Sequence, residues 1–350
     1  MRIARTRFRD FRNLVGGTYD WDSGVNLLTG ANGAGKTNVL EALHVLTGWG
    51  CFPGSRSCDA VKWGAESASL AAQMEGEKSS VVAVSMSSRA SLKLDGKSCR
   101  WGDLRGCVQS LSFLPADMAL IEGPPAVRRR FLDVICALYF PLYAFKLSEY
   151  KRIARHRRHL LAVGHSVRVT DVTMASLAAW IWECRAEVVG LLRGSMSKWD
   201  DLLPGGLSME LGRGGAGNRE DPLEDFEVSC SLSAERERRA CTPLVGPHRD
   251  DLLLDCGGRP AADAFSRGQR RRAALALVMS AASSIEQRYR ASPVLLLDEV
   301  ASELDAPGRS VLFECLRRSG WQCFAATAEK TQPDFSGTAW RVDGGRIDKM

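Results

Sequence analysis

The chain has 350 residues, 45% hydrophobic and 25% charged, proportions of a folded globular protein that exclude a disordered tract, a collagen-like repeat or a coiled-coil rod. That length is longer than the usual domain of about 100 to 200 residues, so one head with a large insertion, or two domains, is expected. Lys and Arg number 47 against 41 Asp and Glu, a net charge of +6, but Arg128 to Arg168 alone holds ten basic and two acidic residues, +8 locally, leaving −2 elsewhere.

In chain order, strand-like segments run over Thr18 to Trp21, Val25 to Thr29, Val81 to Met86 and Ser91 to Leu94, the last entering an Asp95-Gly96 turn. A helix is expected over Asn38 to Leu46. After Pro124-Pro125 the texture becomes helical: a basic helix from Tyr143 to Val163, a link at Gly164, then a long helix from Asp171 to Leu203 that Pro204-Gly205-Gly206 stops. Six glycines between Gly205 and Gly217, followed by charge-rich Glu235 to Arg239, read as a mobile connection back to an α/β body. That body resumes with strand Asp251 to Leu254, helix Ser266 to Arg290, strand Val294 to Leu297, helix Pro307 to Arg318 and strand Gln322 to Thr327. The reading divides the chain into an α/β part at 1–118, a helical basic arm at 119–205 and a second α/β part at 206–350.

The 11 cysteines are scattered and form no C-x-x-C pair, which points to neither a disulfide framework nor a zinc site and fits a reducing, cytoplasmic setting. The basic N-terminus lacks the apolar core of a secretion signal. The longest apolar run, Ala273 to Met279, is far below the roughly 20 residues of a membrane helix.

Strand Val25 to Thr29 leads directly into Gly30-Ala31-Asn32-Gly33-Ala34-Gly35-Lys36-Thr37, a full G-x-x-x-x-G-K-[ST] match, with Asn38 opening the following helix. Such a loop turns successive backbone N–H groups toward a phosphate, and the helix start adds partial positive charge. Lys36 is expected on the β- and γ-phosphates of ATP and Thr37 on Mg²⁺. Val294 to Leu297 ends in Asp298-Glu299, where Asp298 suits the Mg²⁺ shell and Glu299 suits orientation or deprotonation of an attacking water. Ser266-Arg267-Gly268-Gln269 lies 32 residues before Asp298. There it resembles the signature loop of ABC-type ATPases, which would place Ser266, Gly268 and Gln269 on a nucleotide held by a second copy; a serine N-cap is the plainer alternative. Ser302-Glu303-Leu304-Asp305 resembles the D-loop of the same class. The 262 residues separating Lys36 from Asp298 imply an ATPase head split by an insertion.

These motifs, together with Asp10-Phe11-Arg12-Asn13, Phe113-Leu114-Pro115-Ala116-Asp117, Arg128-Arg129-Arg130-Phe131-Leu132-Asp133 and Gly246-Pro247-His248-Arg249-Asp250-Asp251-Leu252, make the chain resemble the RecF family over nearly its whole length. The resemblance implies an ABC-type P-loop head, a mixed sheet with flanking helices, carrying an inserted helical arm. It further implies an ATP-dependent homodimer, DNA binding, slow DNA-stimulated hydrolysis that serves as a switch, and cooperation with RecR and RecO in loading recombinase at gapped DNA, with roles in replication, repair and the SOS response. By analogy Arg12 and Asn13 touch the nucleotide, a solvated turn being the alternative. Gln109 is a weak candidate for the glutamine that many ABC enzymes use. Ala325-Ala326-Thr327 occupies the place of a switch histidine, which favours slow turnover. The candidate DNA contacts are Arg128, Arg129, Arg130, Lys151, Arg152, Arg155, Arg157 and Arg158, directed at backbone phosphate rather than bases. Gly246-Pro247-His248 reads as a turn, with no catalytic role assigned. Two other classes share the ATPase motifs, the nucleotide-binding subunit of an ABC transporter and a chromosome-structuring ATPase. The basic insertion argues against the first and its shortness against the second.

Overall fold

The computed structural model describes residues 1–203, 206–216, 219–299, 304, 306–328 and 337–350. The expected helix stop at Pro204-Gly205 and the D-loop, apart from Leu304, lie outside the described residues. The chain forms two compact units, one of Met1–Met118 with Ala282–Met350 and one of Ala119–Ala281.

The first unit opens with β1 (Arg2–Arg9), β2 (Gly17–Asp20), β3 (Val25–Thr29), α1 (Lys36–Leu46), β4 (Ala68–Glu75), β5 (Ser80–Met86), β6 (Ala90–Leu94), β7 (Lys97–Ser98), α2 (Trp101–Cys107) and β8 (Ser110–Phe113). The second contains α3 (Pro125–Tyr139), α4 (Tyr143–Ala162), α5 (Arg168–Met196), β9 (Ser208–Gly212), α6 (Pro222–Ala240), β10 (Asp251–Cys256), β11 (Arg259–Pro260), α7 (Ala261–Ala264) and most of α8 (Arg267–Tyr289). The chain then returns to the first unit through β12 (Val294–Leu297), α9 (Ala306–Ser319), β13 (Gln322–Thr327), β14 (Thr338–Asp343) and β15 (Arg346–Lys349).

Two sheets build the first unit. One is antiparallel in the order β2-β1-β4-β5-β6-β7; the other runs β15-β14-β3-β13-β12-β8, parallel except for β15. Every residue of β3, β12 and β13 is buried, as expected where a parallel sheet is covered on both faces. By contrast β1 alternates from Arg5 onward, with Thr6 and Phe8 inward and Arg5, Arg7 and Arg9 outward, after a register shift between Ile3 and Arg5 that leaves Ile3 inward as well. Helix α1 packs against β12 and β13 of one sheet and β4 and β5 of the other, so Val39, Leu40, Leu43 and Leu46 are fully buried.

In the second unit the expected helical pair is present as α4 and α5, linked through Gly164 at φ 73°. The segment read as a mobile connection is instead built into the unit on both sides of residues 217–218: β9 pairs antiparallel with β10, and the 19-residue α6 packs on α5 and α4. Asp221 caps α6 by accepting from Leu223 and Glu224 N–H groups, and Pro222 occupies its first position. The face that α6 buries is mostly polar, comprising Asp225, Phe226, Ser229 and Glu237. That gives no hydrophobic periodicity to read.

Candidate functional site

Because β3 and β12 point the same way with only β13 between them, their C-terminal ends bring the glycine-rich loop and Asp298-Glu299 to one sheet edge, where α/β proteins hold ligands. The loop's curl depends on missing side chains. A Cβ on Gly30 (φ 155°) would lie 2.1 Å from the Val342 carbonyl oxygen, so only glycine lets the loop pass there. Helix α1 starts at Lys36 behind Gly35, which provides no side-chain cap.

Lys36 is 4% exposed and arches back to donate to the carbonyls of Gly30 (2.7 Å) and Ala31 (3.0 Å). Burial pushes its ammonium below the ordinary value, and the nearby Glu299 and Asp298 carboxylates oppose that shift. The Thr37 hydroxyl donates to Asp298, with the two carboxylate oxygens 3.1 and 3.0 Å away. Asp298 is also 4% exposed; burial raises its carboxyl above the ordinary range, against the Thr37 hydrogen bond. Glu299 is half-buried, its N–H is tied to the Ala326 carbonyl (3.1 Å), and its φ of 53° lies in the left-handed region. Such a conformation costs a non-glycine residue about 1–3 kcal/mol and recurs at functional sites.

Asn13 supports the loop from behind. Its side chain reaches the Gly33 carbonyl at 3.5 Å and accepts from Asn38 Nδ2 at 2.7 Å. Arg12 is turned away, donating to both oxygens of the buried Glu41 on α1 (2.8 and 2.9 Å), to the Asp59 carbonyl and to Ser55. No pattern in the sequence announced that pairing. Ala31, Asn32, Gly33 and Thr37 are exposed, leaving the outer face of the loop open. Gln109 precedes β8 at the opposite edge of the sheet, because β8 runs parallel to β12, so it stands away from the loop.

Against this geometry, the family model for the RecF/RecN/SMC N terminal domain matches residues 2–342. A DNA replication and repair protein RecF from Heliobacterium modesticaldum is 31% identical over 374 aligned positions, covering 100% of this chain and 99% of that one. This chain belongs to the RecF family. Two solved structures of the recombination mediator protein RecF in the RecFOR pathway, RecF-ATPrS and RecF-ATP, superpose with TM-scores of 0.90 and 0.87, each at 26% identity. The first covers 100% of this chain and 98% of its own, the second 99% and 97%. The fold is thus the expected ABC-type head of mixed sheet and flanking helices.

In this RecF-family chain the Ser266-to-Gln269 loop opens α8 as a reciprocal cap. The Ser266 N–H donates to Gln269 Oε1 (2.8 Å) and the Gln269 N–H approaches Ser266 Oγ at 3.4 Å. Gly268 has open space around it. The eight expected DNA contacts separate by burial. Lys151, Arg152, Arg155 and Arg158 are exposed on α4, and Arg130 is half-buried on α3. Arg157 and Arg128 are taken up by ion pairs within the unit. Arg157, 3% exposed, bridges Asp171 (2.6 Å) and Glu237 (2.7 Å), while Arg128 binds Asp251 through two nitrogens at 2.6 and 2.8 Å. Arg129 is half-buried and donates to the Asp250 carbonyl at 2.6 Å. Among the described residues no helix is long and apolar enough to cross a membrane.

Proposed function

We propose that this chain is an ATP-dependent, sequence-nonspecific DNA-binding protein of replication and recombinational repair that works as a slowly hydrolysing switch. The observation that carries this reading is the meeting of Thr37 with Asp298 across 261 residues, beside a buried lysine. A hard divalent cation such as Mg²⁺ fits there, because the donors are a hydroxyl and a buried carboxylate. Thr37 and Asp298 would hold the ion, which would supply positive charge against that of the triphosphate. Lys36 exchanges the Gly30 and Ala31 carbonyls for phosphate oxygens, and Glu299 orients the attacking water and takes its proton. Ser266 and the start of α8 complete the nucleotide site of a second copy; the long Gln269–Ser266 contact of 3.4 Å is cheaply given up. ATP then joins two copies, and the exposed cations of α4 hold duplex or gapped DNA by its phosphates. The RecFOR pathway of the solved relatives supports RecO and RecR as partners; recombinase loading and SOS induction are the outcome this reading assigns to them.

The test is light scattering and retention on duplex DNA, each with and without Mg²⁺ and ATP. Doubling of mass and DNA retention are expected only with ATP, and neither in Lys36→Ala. ATP-independent retention, or an unchanged mass, refutes the switch.

A further inference from the structure

Two motifs that the ATPase site leaves unused, Arg128-Arg129-Arg130-Phe131-Leu132-Asp133 and Gly246-Pro247-His248-Arg249-Asp250-Asp251, meet in the second unit and share one cavity. Arg128 pairs with Asp251, Arg129 with the Asp250 carbonyl, and Arg185 of α5 with Asp133 (2.7 Å), Asp250 and the Pro247 carbonyl (2.7 Å). Gly246 is required there: at φ 125° a Cβ would fall 2.1 Å from the Tyr150 hydroxyl oxygen. The cavity, about 370 Å³, is lined by Arg129, Arg130, Lys151 and Arg185 together with Asp133, Tyr150 and His248.

Its charge is unbalanced. Arg185 engages both nearby carboxylates, Asp133 and Asp250. Lys151 reaches only the already shared Asp133, at 3.8 Å. Arg129 bonds a neutral carbonyl, and among the described residues no acidic side chain pairs with Arg130. Four cations thus face two carboxylates. His248 adds no negative charge: its Nδ1 accepts from the Tyr150 hydroxyl (2.7 Å) and its Nε2–H donates to the Pro243 carbonyl (3.2 Å), a neutral tautomer that burial favours. Burial and the Arg185 charge also push the Arg129 guanidinium below its ordinary value, the condition an entering anion relieves. Guanidinium forks beside an ammonium are the donor set that holds phosphate.

We infer that this cavity is a phosphate-binding pocket, taking the oxyanion of either a DNA backbone phosphate or a small phosphate compound. The first source rests on the proposed DNA-binding function; the second does not. The pocket would fix one phosphate at a defined depth in the second unit, unlike the open contacts of α4.

The experiment uses the full chain with Lys36→Ala, so that phosphate binding at the ATP loop is weakened. Inorganic phosphate is titrated calorimetrically, with chloride at matched ionic strength as the control. One saturable site is expected, weakened at least tenfold by Arg130→Gln with Lys151→Gln, side chains that carry no buried hydrogen bond. In a second arm, duplex retention by the chain with native Lys36, in ATP, is measured against salt with and without Arg130→Gln alone, because Lys151 also belongs to the exposed row on α4. Competition by phosphate, with a salt slope of log affinity shallower by about 1 per pocket cation removed, identifies DNA as the source. Saturable phosphate binding with DNA retention unaltered identifies a small phosphate compound. No saturable phosphate binding, or binding indifferent to both substitutions, overturns the inference even if ATP-dependent DNA retention holds.

Discussion

Replacing Arg185 by Met removes the only cation bonded to both Asp133 and Asp250 among the described residues, while keeping a side chain of similar length. Asp250 is fully buried and would retain only its bonds from Trp182 Nε1 (2.7 Å) and the Gly214 N–H (2.8 Å). Removing one partner of a buried ion pair costs about 3–5 kcal/mol, because the other charge stays desolvated and unpaired. That is a large part of the roughly 5–15 kcal/mol that typically separates folded from unfolded chains. The loss should depend on pH. Burial already raises the Asp250 carboxyl above its ordinary range, and the Arg185 charge is the leading influence holding it down. Without Arg185 the folded value climbs further, and the folded state binds the proton more tightly than the unfolded state does. Stability therefore falls as pH rises from the unfolded carboxyl value of about 3.9 through the folded one, by up to about 1.4 kcal/mol for each pH unit between the two. Urea unfolding of the native chain and Arg185→Met at pH 5 and pH 8 measures this, with the deficit expected to be larger at pH 8. A deficit under about 1 kcal/mol at both, or one larger at pH 5, refutes the view that Arg185 compensates the buried Asp250 carboxylate beside the half-buried Asp133.

Glu299→Gln should bind ATP normally yet leave a long-lived ATP-bound dimer, measured as phosphate release beside mass; unaltered turnover removes Glu299 from the role of base. Ser266→Arg keeps nucleotide binding, because the ATP loop is untouched, and loses the ATP-induced dimer, at a helix-cap cost of about 1 kcal/mol; a dimer by light scattering contradicts the shared site. Arg152→Glu with Arg155→Glu and Arg158→Glu should flatten the salt dependence of DNA retention by more than about 2 in slope, since each neutralised phosphate contributes about 0.9. Arg157→Gln should instead lower the melting temperature, because Glu237 and Asp171 lose their cation; a fully stable protein with weakened DNA binding would return Arg157 to the DNA surface.

The parts of the fold that the sequence displays are those whose burial is simple. Strands β3, β12 and β13 are covered on both faces; β12 is an unbroken apolar run, β3 is apolar but for Asn26 and Thr29 and β13 but for Gln322 and Thr327, and β3 and β12 each end in a recognisable motif. Strand β1 is harder to read, because one of its inward residues is Thr6, satisfied by the distant Trp21 Nε1 at 2.8 Å. Helix α6 is harder still, since it buries the Glu237 and Asp225 carboxylates, which Arg157, Arg213 and the Leu244 N–H from outside the helix help make tolerable.

The same physics limits what a charge count over the arm can say. A local +8 records how many cations the segment holds, not how many face solvent. Arg157 and Arg128 answer Glu237, Asp171 and Asp251, acids outside the segment and therefore outside that sum. What remains is two populations in different settings: an exposed row on α4 at Arg152, Arg155 and Arg158, and the semi-enclosed group around Arg129 and Arg130, with Lys151 shared between the two. An exposed row attracts any polyanion and loosens with salt, whereas a pocket of forked donors selects an oxyanion at a fixed position. A surface able to hold DNA at random along its length, and also to register one phosphate at a fixed point, needs both populations.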